Sequence, residues 1–157
     1  MTIQRITPFL WYDTQAEDAA RFYVSIFGNS RITHVSYYGE AGPGPKGSVM
    51  VVSFELEGQR YTAINGGPTF RLSEAFSLLV ECTDQADIDR LWNALGQSGT
   101  YNVCGWLKNQ FGLSWQINYA GLPDMLSGDR VRAARVMDAM MKMHKVDIRA
   151  LQAAAAG

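Results

Sequence analysis

Chemically, the most suggestive stretch is Leu113-Ser-Trp-Gln-Ile-Asn118, where hydrogen-bonding and apolar residues alternate. Successive side chains of a strand point to opposite faces, so Ser114, Gln116 and Asn118 share one face and Leu113, Trp115 and Ile117 the other. Three uncharged polar groups in a row form a floor on which an organic molecule can be held, although a solvated sheet face gives the same pattern. The remaining reactive groups are sparse. The histidines, His34 and His144, fall on separate elements, so a histidine-rich metal centre cannot be assembled within one chain. His34 has the titration range of a proton carrier, but a surface histidine on a strand is the plainer reading. Cys104 lies near Lys108, which could activate its thiol, yet neither Cys104 nor Cys82 has a base placed beside it, and isolated sheet cysteines usually behave as small hydrophobes. The glycine fingerprints of nucleotide sites, the Gly-x-Ser-x-Gly elbow and His-Glu-x-x-His are all missing.

Positioning the polar row requires the elements around it. Cys104 to Asn118 is predicted to form two short strands joined by a turn at Asn109 to Gly112. Upstream, Ile6–Tyr12 reads as a strand, and Ala16–Phe27 reads as an amphipathic helix with Asp13 or Thr14 as candidate caps and Gly28 at its end. Arg31–Tyr38 follows as a strand. Gly39–Gly47, rich in glycine and proline, is expected to be a mobile loop. Strands Ser48–Leu56 and Arg60–Asn65 flank a Glu57-Gly58-Gln59 turn. The order then restarts with strand Ala75–Cys82 and helix Asp84–Leu95. A gapless superposition sets Arg21-Phe-Tyr23 on Arg90-Leu-Trp92, Phe9 on Leu78, Trp11 on Val80 and Pro8 on Ser77, and separately the hairpin glycine Gly112 corresponds to Gly58. The expected fold is therefore α+β: two βαβββ modules, about 5–68 and 74–119, in a single domain over 1–122. A helical extension follows over 123–157, with helices over Asp129–Met143 and Asp147–Ala156 and Asp147 as a cap. Its Met137, Met140 and Met141 suit packing or a dimer contact.

The 157 residues carry a net charge of −1 and are 47% hydrophobic, enough for a core and too balanced for an electrostatic footprint on nucleic acid or an anionic membrane. No signal-peptide pattern or membrane-length apolar run is visible, which leads to an expected cytoplasmic location. Two cysteines are too few for a disulfide framework.

Phe9-Leu-Trp-Tyr-Asp13, Ala16-Glu-Asp-Ala-Ala-Arg-Phe-Tyr23, Leu56-Glu-Gly-Gln59, Asn65-Gly-Gly-Pro68, Asp89-Arg-Leu-Trp92 and Gly112-Leu-Ser-Trp-Gln-Ile117 together resemble the PhnB-like branch of the vicinal oxygen chelate (glyoxalase, bleomycin-resistance, dioxygenase) superfamily, often labelled 3-demethylubiquinone-9 3-methyltransferase. The resemblance implies paired βαβββ modules with a ligand cleft, usually in a homodimer. It departs from the pattern at Asn109, where an aspartate is usual, and at Tyr119, where proline is frequent. In metal-dependent relatives the ligands stand at positions that align here with Pro8, Thr62, Ser77 and Gln116, a set with neither carboxylate nor imidazole, so no metal and no cofactor is expected. The implied ligand cleft comprises Tyr12, Thr62, Asn65, Ser77, Trp106, Ser114, Gln116 and Asn118, with a neutral or phenolic organic molecule as partner; no catalytic residue is assigned. The competing functions are a metal-dependent glyoxalase- or dioxygenase-type enzyme, the methyltransferase of the label, for which no glycine-rich S-adenosylmethionine turn is present, and a purely structural module.

Overall fold

The computed structural model describes residues 3–157, and the chain divides into two compact units, one through Leu72 and one from Ser73. In the first, the order is β1 (Phe9–Tyr12), α1 (Ala16–Ile26), β2 (Arg31–Tyr37), β3 (Val49–Leu56) and β4 (Gln59–Asn65). The sheet runs β1-β4-β3-β2, with β1 parallel to β4 and the other pairs antiparallel. The β3–β4 hairpin turns at Glu57 and Gly58, both at positive φ, as a two-residue turn matched to the right-handed strand twist requires. One face of the sheet is closed by α1, whose Ala16, Ala19, Ala20 and Tyr23 are buried; small residues on this stripe let the helix approach Val52, Phe54 and Ala63 closely.

The second unit repeats the plan: β5 (Ser77–Cys82), α2 (Gln85–Gly96), β6 (Thr100–Tyr101), β7 (Trp106–Lys108) and β8 (Ser114–Tyr119), in sheet order β5-β8-β7-β6 with β5 parallel to β8. Ile88, Leu91, Trp92 and Leu95 of α2 are buried, as are Leu113, Trp115 and Ile117, the dry row expected from alternation. Three helices follow: α3 (Leu122–Leu126), α4 (Arg130–Met141) and α5 (Ile148–Ala156). Asp129 and Asp147 cap α4 and α5, accepting from the amides of Arg132 (2.9 Å) and Ala150 (3.0 Å). This tail is tied to the β7 end of the sheet by backbone bonds from Cys104 N to Met143 O and Gly105 N to His144 O, each 2.8 Å. Gln85 adds a side-chain clamp, donating to Val146 O and accepting from Ile148 N, both at 2.9 Å.

Three local features differ from expectation. The first strand begins at Phe9 because Pro8 has no amide for the ladder, although its carbonyl still accepts from Thr62 N. Helix α1 has Gln15 at its N-cap and no side-chain cap from Asp13 or Thr14; the Ala16 amide is instead taken by Asn65 Oδ1 at 2.8 Å, a partner 49 residues away that helical periodicity cannot show. The Gly39–Gly47 loop is folded over Tyr38, with Gly44 so close to the ring that a Cβ there would lie 2.2 Å from it. Short elements β6 and α3 had no period-based signal.

Candidate functional site

The open face of the second sheet carries the polar row. The strand register sets Ser77 beside Ser114 and Lys108, Leu79 beside Gln116 and Trp106, and Glu81 beside Asn118. Gln116 donates from Nε2 to Ser77 Oγ at 3.0 Å, so the structure joins two of the expected contacts and orients the amide with its carbonyl available. Asn118 Oδ1 is engaged by the amide of Tyr119 at 2.9 Å. Ser114 departs from a solvated face: it is 0% exposed, and its Oγ has no hydrogen-bond partner among the described residues. It borders a cavity of about 100 Å³ with Glu74, Thr100, Asn102, Trp106, Leu107 and Lys108. The Lys108 ammonium pairs with Glu74 and, chiefly through that hydrogen bond, holds the carboxyl below its ordinary range. A small polar recess next to an aromatic wall and an ion pair can admit water or one polar group of a larger molecule.

The residues expected from the first module behave differently. Thr62 lies on the open face of its sheet, in a row with His34, Ser53 and the 59% exposed Phe9. Tyr12 faces the helix rather than a cleft: it is 4% exposed, its hydroxyl shares a 2.9 Å hydrogen bond with Tyr23, and burial raises its pKa well above the ordinary phenol value, with Tyr23 adding to the rise. Tyr12 is therefore corrected to a core residue. Asn65 is occupied on both sides, accepting from Ala16 N and donating to Val49 O at 3.1 Å, which makes its side chain a structural bridge. The signal for Tyr12 was present in the sequence, since it alternates with Trp11 and shares its face with Leu10.

The gapless superposition of the modules is also corrected. It sets Phe9 and Trp11, which lie on the open face opposite Thr62 and Ile64, on Leu78 and Val80, which lie on the helix side opposite the buried Trp115 and Ile117. A slip of one residue in a strand exchanges its faces. Pairing by register instead matches Phe9 and Thr62 with Leu79 and Gln116. Of these positions, Thr62 supplies a hydroxyl on the first sheet and Gln116 an amide on the second, while Phe9 and Leu79 carry no polar side-chain atom. Among the described residues no group of three or more His, Cys, Asp or Glu side chains is placed to hold a metal ion.

Both cysteines are free thiols. Burial, followed by the nearby Asp87, pushes the Cys82 thiol up to about 12. Cys104, half-buried at positive φ, points its sulfur at Met140 O, 3.6 Å away. His34 is exposed, and no helix among the described residues is long and apolar enough to cross a membrane.

Comparison with known proteins places these features in context. The profile of a family described as 3-demethylubiquinone-9 3-methyltransferase matches residues 4–118, leaving α3 to α5 outside it. A solved Bacillus cereus PhnB protein carrying that same description is 36% identical, with a TM-score of 0.69 over 74% of this chain and 100% of its own. Protein PA1353 from Pseudomonas aeruginosa, 18% identical, shares the fold with a TM-score of 0.61 over 72% of this chain and 95% of its own. No curated protein matches the chain at a comparable level.

Proposed function

We propose, from the premise that the chain belongs to the 3-demethylubiquinone-9 3-methyltransferase family of PhnB-like proteins, that it binds a small neutral or phenolic organic molecule on the open face of its second sheet without a metal ion. The observation that carries this reading is Ser114: its buried hydroxyl has no partner among the described residues, a state that costs about 1–3 kcal/mol, and the residue lines a recess beside Trp106 and Lys108. Gln116, oriented by Ser77, supplies an acceptor, and Trp106, its neighbour across the register, supplies an apolar wall. Asn118, on the same face, completes the proposed contacts. The side-chain donors on that face, Ser114, Gln116 and Asn118, are uncharged, which favours this reading over the metal-dependent enolisation of glyoxalase-type relatives. Methyl transfer is the other reading, and the family description alone favours it; the sheets are βαβββ units without the glycine-rich strand-to-helix turn of the usual cofactor site.

The reading is tested by NMR titration of chelator-treated protein with p-cresol. Saturable shifts of the Gln116 side-chain amide and the Trp106 indole N–H support it. Shifts confined to other residues, or none, sink it.

We further propose that the functional unit is a cytoplasmic homodimer joined through α4, because Val131 (68% exposed), Ala134, Met137 and Met141 (64%) form an apolar stripe facing water.

A further inference from the structure

A well-defined recess of the first unit is lined by residues other than the polar row. It has a volume of about 380 Å³ and opens beyond the C-terminal ends of the parallel pair β1 and β4, between the first turn of α1 and the loop folded over Tyr38. A volume in this range suits a small organic ligand. Its walls are built from folded, bonded parts. Tyr38 is buried and donates to Asn65 O at 2.5 Å, Asn65 bridges α1 to β3, and Gly66 and Gly67 continue the wall through bonds to Tyr12 O and Asp13 O. The loop side contributes Pro43, Pro45 and Val49, an apolar surface. The α1 side contributes the carboxylates of Asp13, Glu17 and Asp18.

The charge balance decides what fits. Arg21 neutralises Glu17 at 2.6 Å, and no described cation pairs with Asp13 or Asp18. The amino end of α1 adds a partial positive charge of about 0.5. Two unpaired carboxylates therefore outweigh it, and the recess keeps a net negative charge of about 1.5. A divalent ion is the poorer occupant, because the three carboxylates are not placed to converge on one metal. Negative charge spread over one wall, facing an apolar wall, matches a molecule with an ammonium at one end and a hydrocarbon body at the other. We propose that this recess is a binding site for a small organic amine in its protonated form, distinct from the polar face of the second sheet and independent of the function proposed for it.

The test is a two-dimensional amide NMR titration of the full chain with phenethylamine, phenylethanol and phenylacetate, which share a body and differ in charge. The expected result is saturable shifts at Gly44, Gly66 and Gly67 with phenethylamine, at a Kd below about 1 mM. Phenylethanol should bind at least tenfold more weakly and phenylacetate not measurably. The D13N/D18N double variant should lose at least fivefold in amine affinity. If that variant misfolds, the wild-type protein decides: raising ionic strength from about 0.01 M to 0.15 M, which shortens the screening length from about 30 Å to 8 Å, should weaken the amine and leave the alcohol unchanged. Equal binding of phenylacetate, a salt-independent amine affinity, or no saturable shift at these glycines overturns the proposal.

Discussion

Replacing Asn109 by alanine should be among the most damaging single changes in the second unit. Asn109 is nearly buried at the head of the β7–β8 hairpin, and its Oδ1 accepts from two backbone amides, Phe111 N at 3.0 Å and Leu113 N at 3.1 Å. N109A leaves both amides without that partner. Each net hydrogen bond is worth about 1 kcal/mol, and an unsatisfied buried donor costs about 1–3 kcal/mol. Phe111 can recover part of this from water, whereas Leu113 is buried, so the sum is about 2–4 kcal/mol. For a chain of this size that lowers the melting temperature by roughly 5–15 °C. The N109D variant keeps the acceptor and should be near wild-type at neutral pH. Its carboxylate, accepting two amides, would have a folded pKa below the unfolded value of about 3.9. Its stabilisation is then present above about pH 4 and disappears as pH falls through the lower folded value. Urea denaturation of the three proteins at pH 7 and under acid measures this. A loss below about 0.5 kcal/mol in N109A, or N109D as unstable as N109A at pH 7, would refute the reasoning.

Gly66→Ala should destabilise the first unit by about 1–3 kcal/mol, since its Cβ would meet the Trp11 indole at 2.2 Å; thermal melts check this. Gln85→Ala should loosen the tail, because the clamp on Val146 and Ile148 is lost; faster amide exchange in α5 than in α2 is the readout. Native protein at pH 8 should give at most one thiol to Ellman's reagent, Cys104, with Cys82 reacting only after unfolding. As pH rises from about 8.5 toward 12, stability should fall, because the Cys82 thiol ionises first in the unfolded chain. Sedimentation should show a dimer that Met141→Glu and Val131→Glu together convert to monomer; an unchanged dimer would place the contact elsewhere.

Local patterning carried much of this architecture into view. The helix stripes of α1 and α2, the Glu57-Gly58 turn, the dry row Leu113, Trp115, Ile117 and the Asp147 cap all follow from residue type and spacing, and the structure has each of them. What sequence reading missed depends on contacts across long separations. Asn65 capping α1, Gln85 clamping the tail and Ser114 losing its solvent are set by chain segments distant in sequence. Tyr12 was misplaced for a different reason: an aromatic in a strand suits a cleft wall and a core equally, and only the facing of its neighbours separates them. The superposition of Phe9 on Leu78 ignored face parity, which the burial of Trp115 and Ile117 exposes. The recess beside Tyr38 escaped notice because it depends on how Gly39–Gly47 folds, and glycine and proline spacing says where a chain turns without saying what it turns onto.

The most direct test of the central claim is a titration of metal-stripped protein with p-cresol, followed through the Gln116 side-chain amide, and repeated for Gln116→Ala through the Trp106 indole and after adding zinc. The account predicts saturable binding in the absence of metal, weakened at least tenfold in Gln116→Ala and unaltered by zinc; binding that appears only with zinc, or that survives Gln116→Ala at full strength, would contradict it.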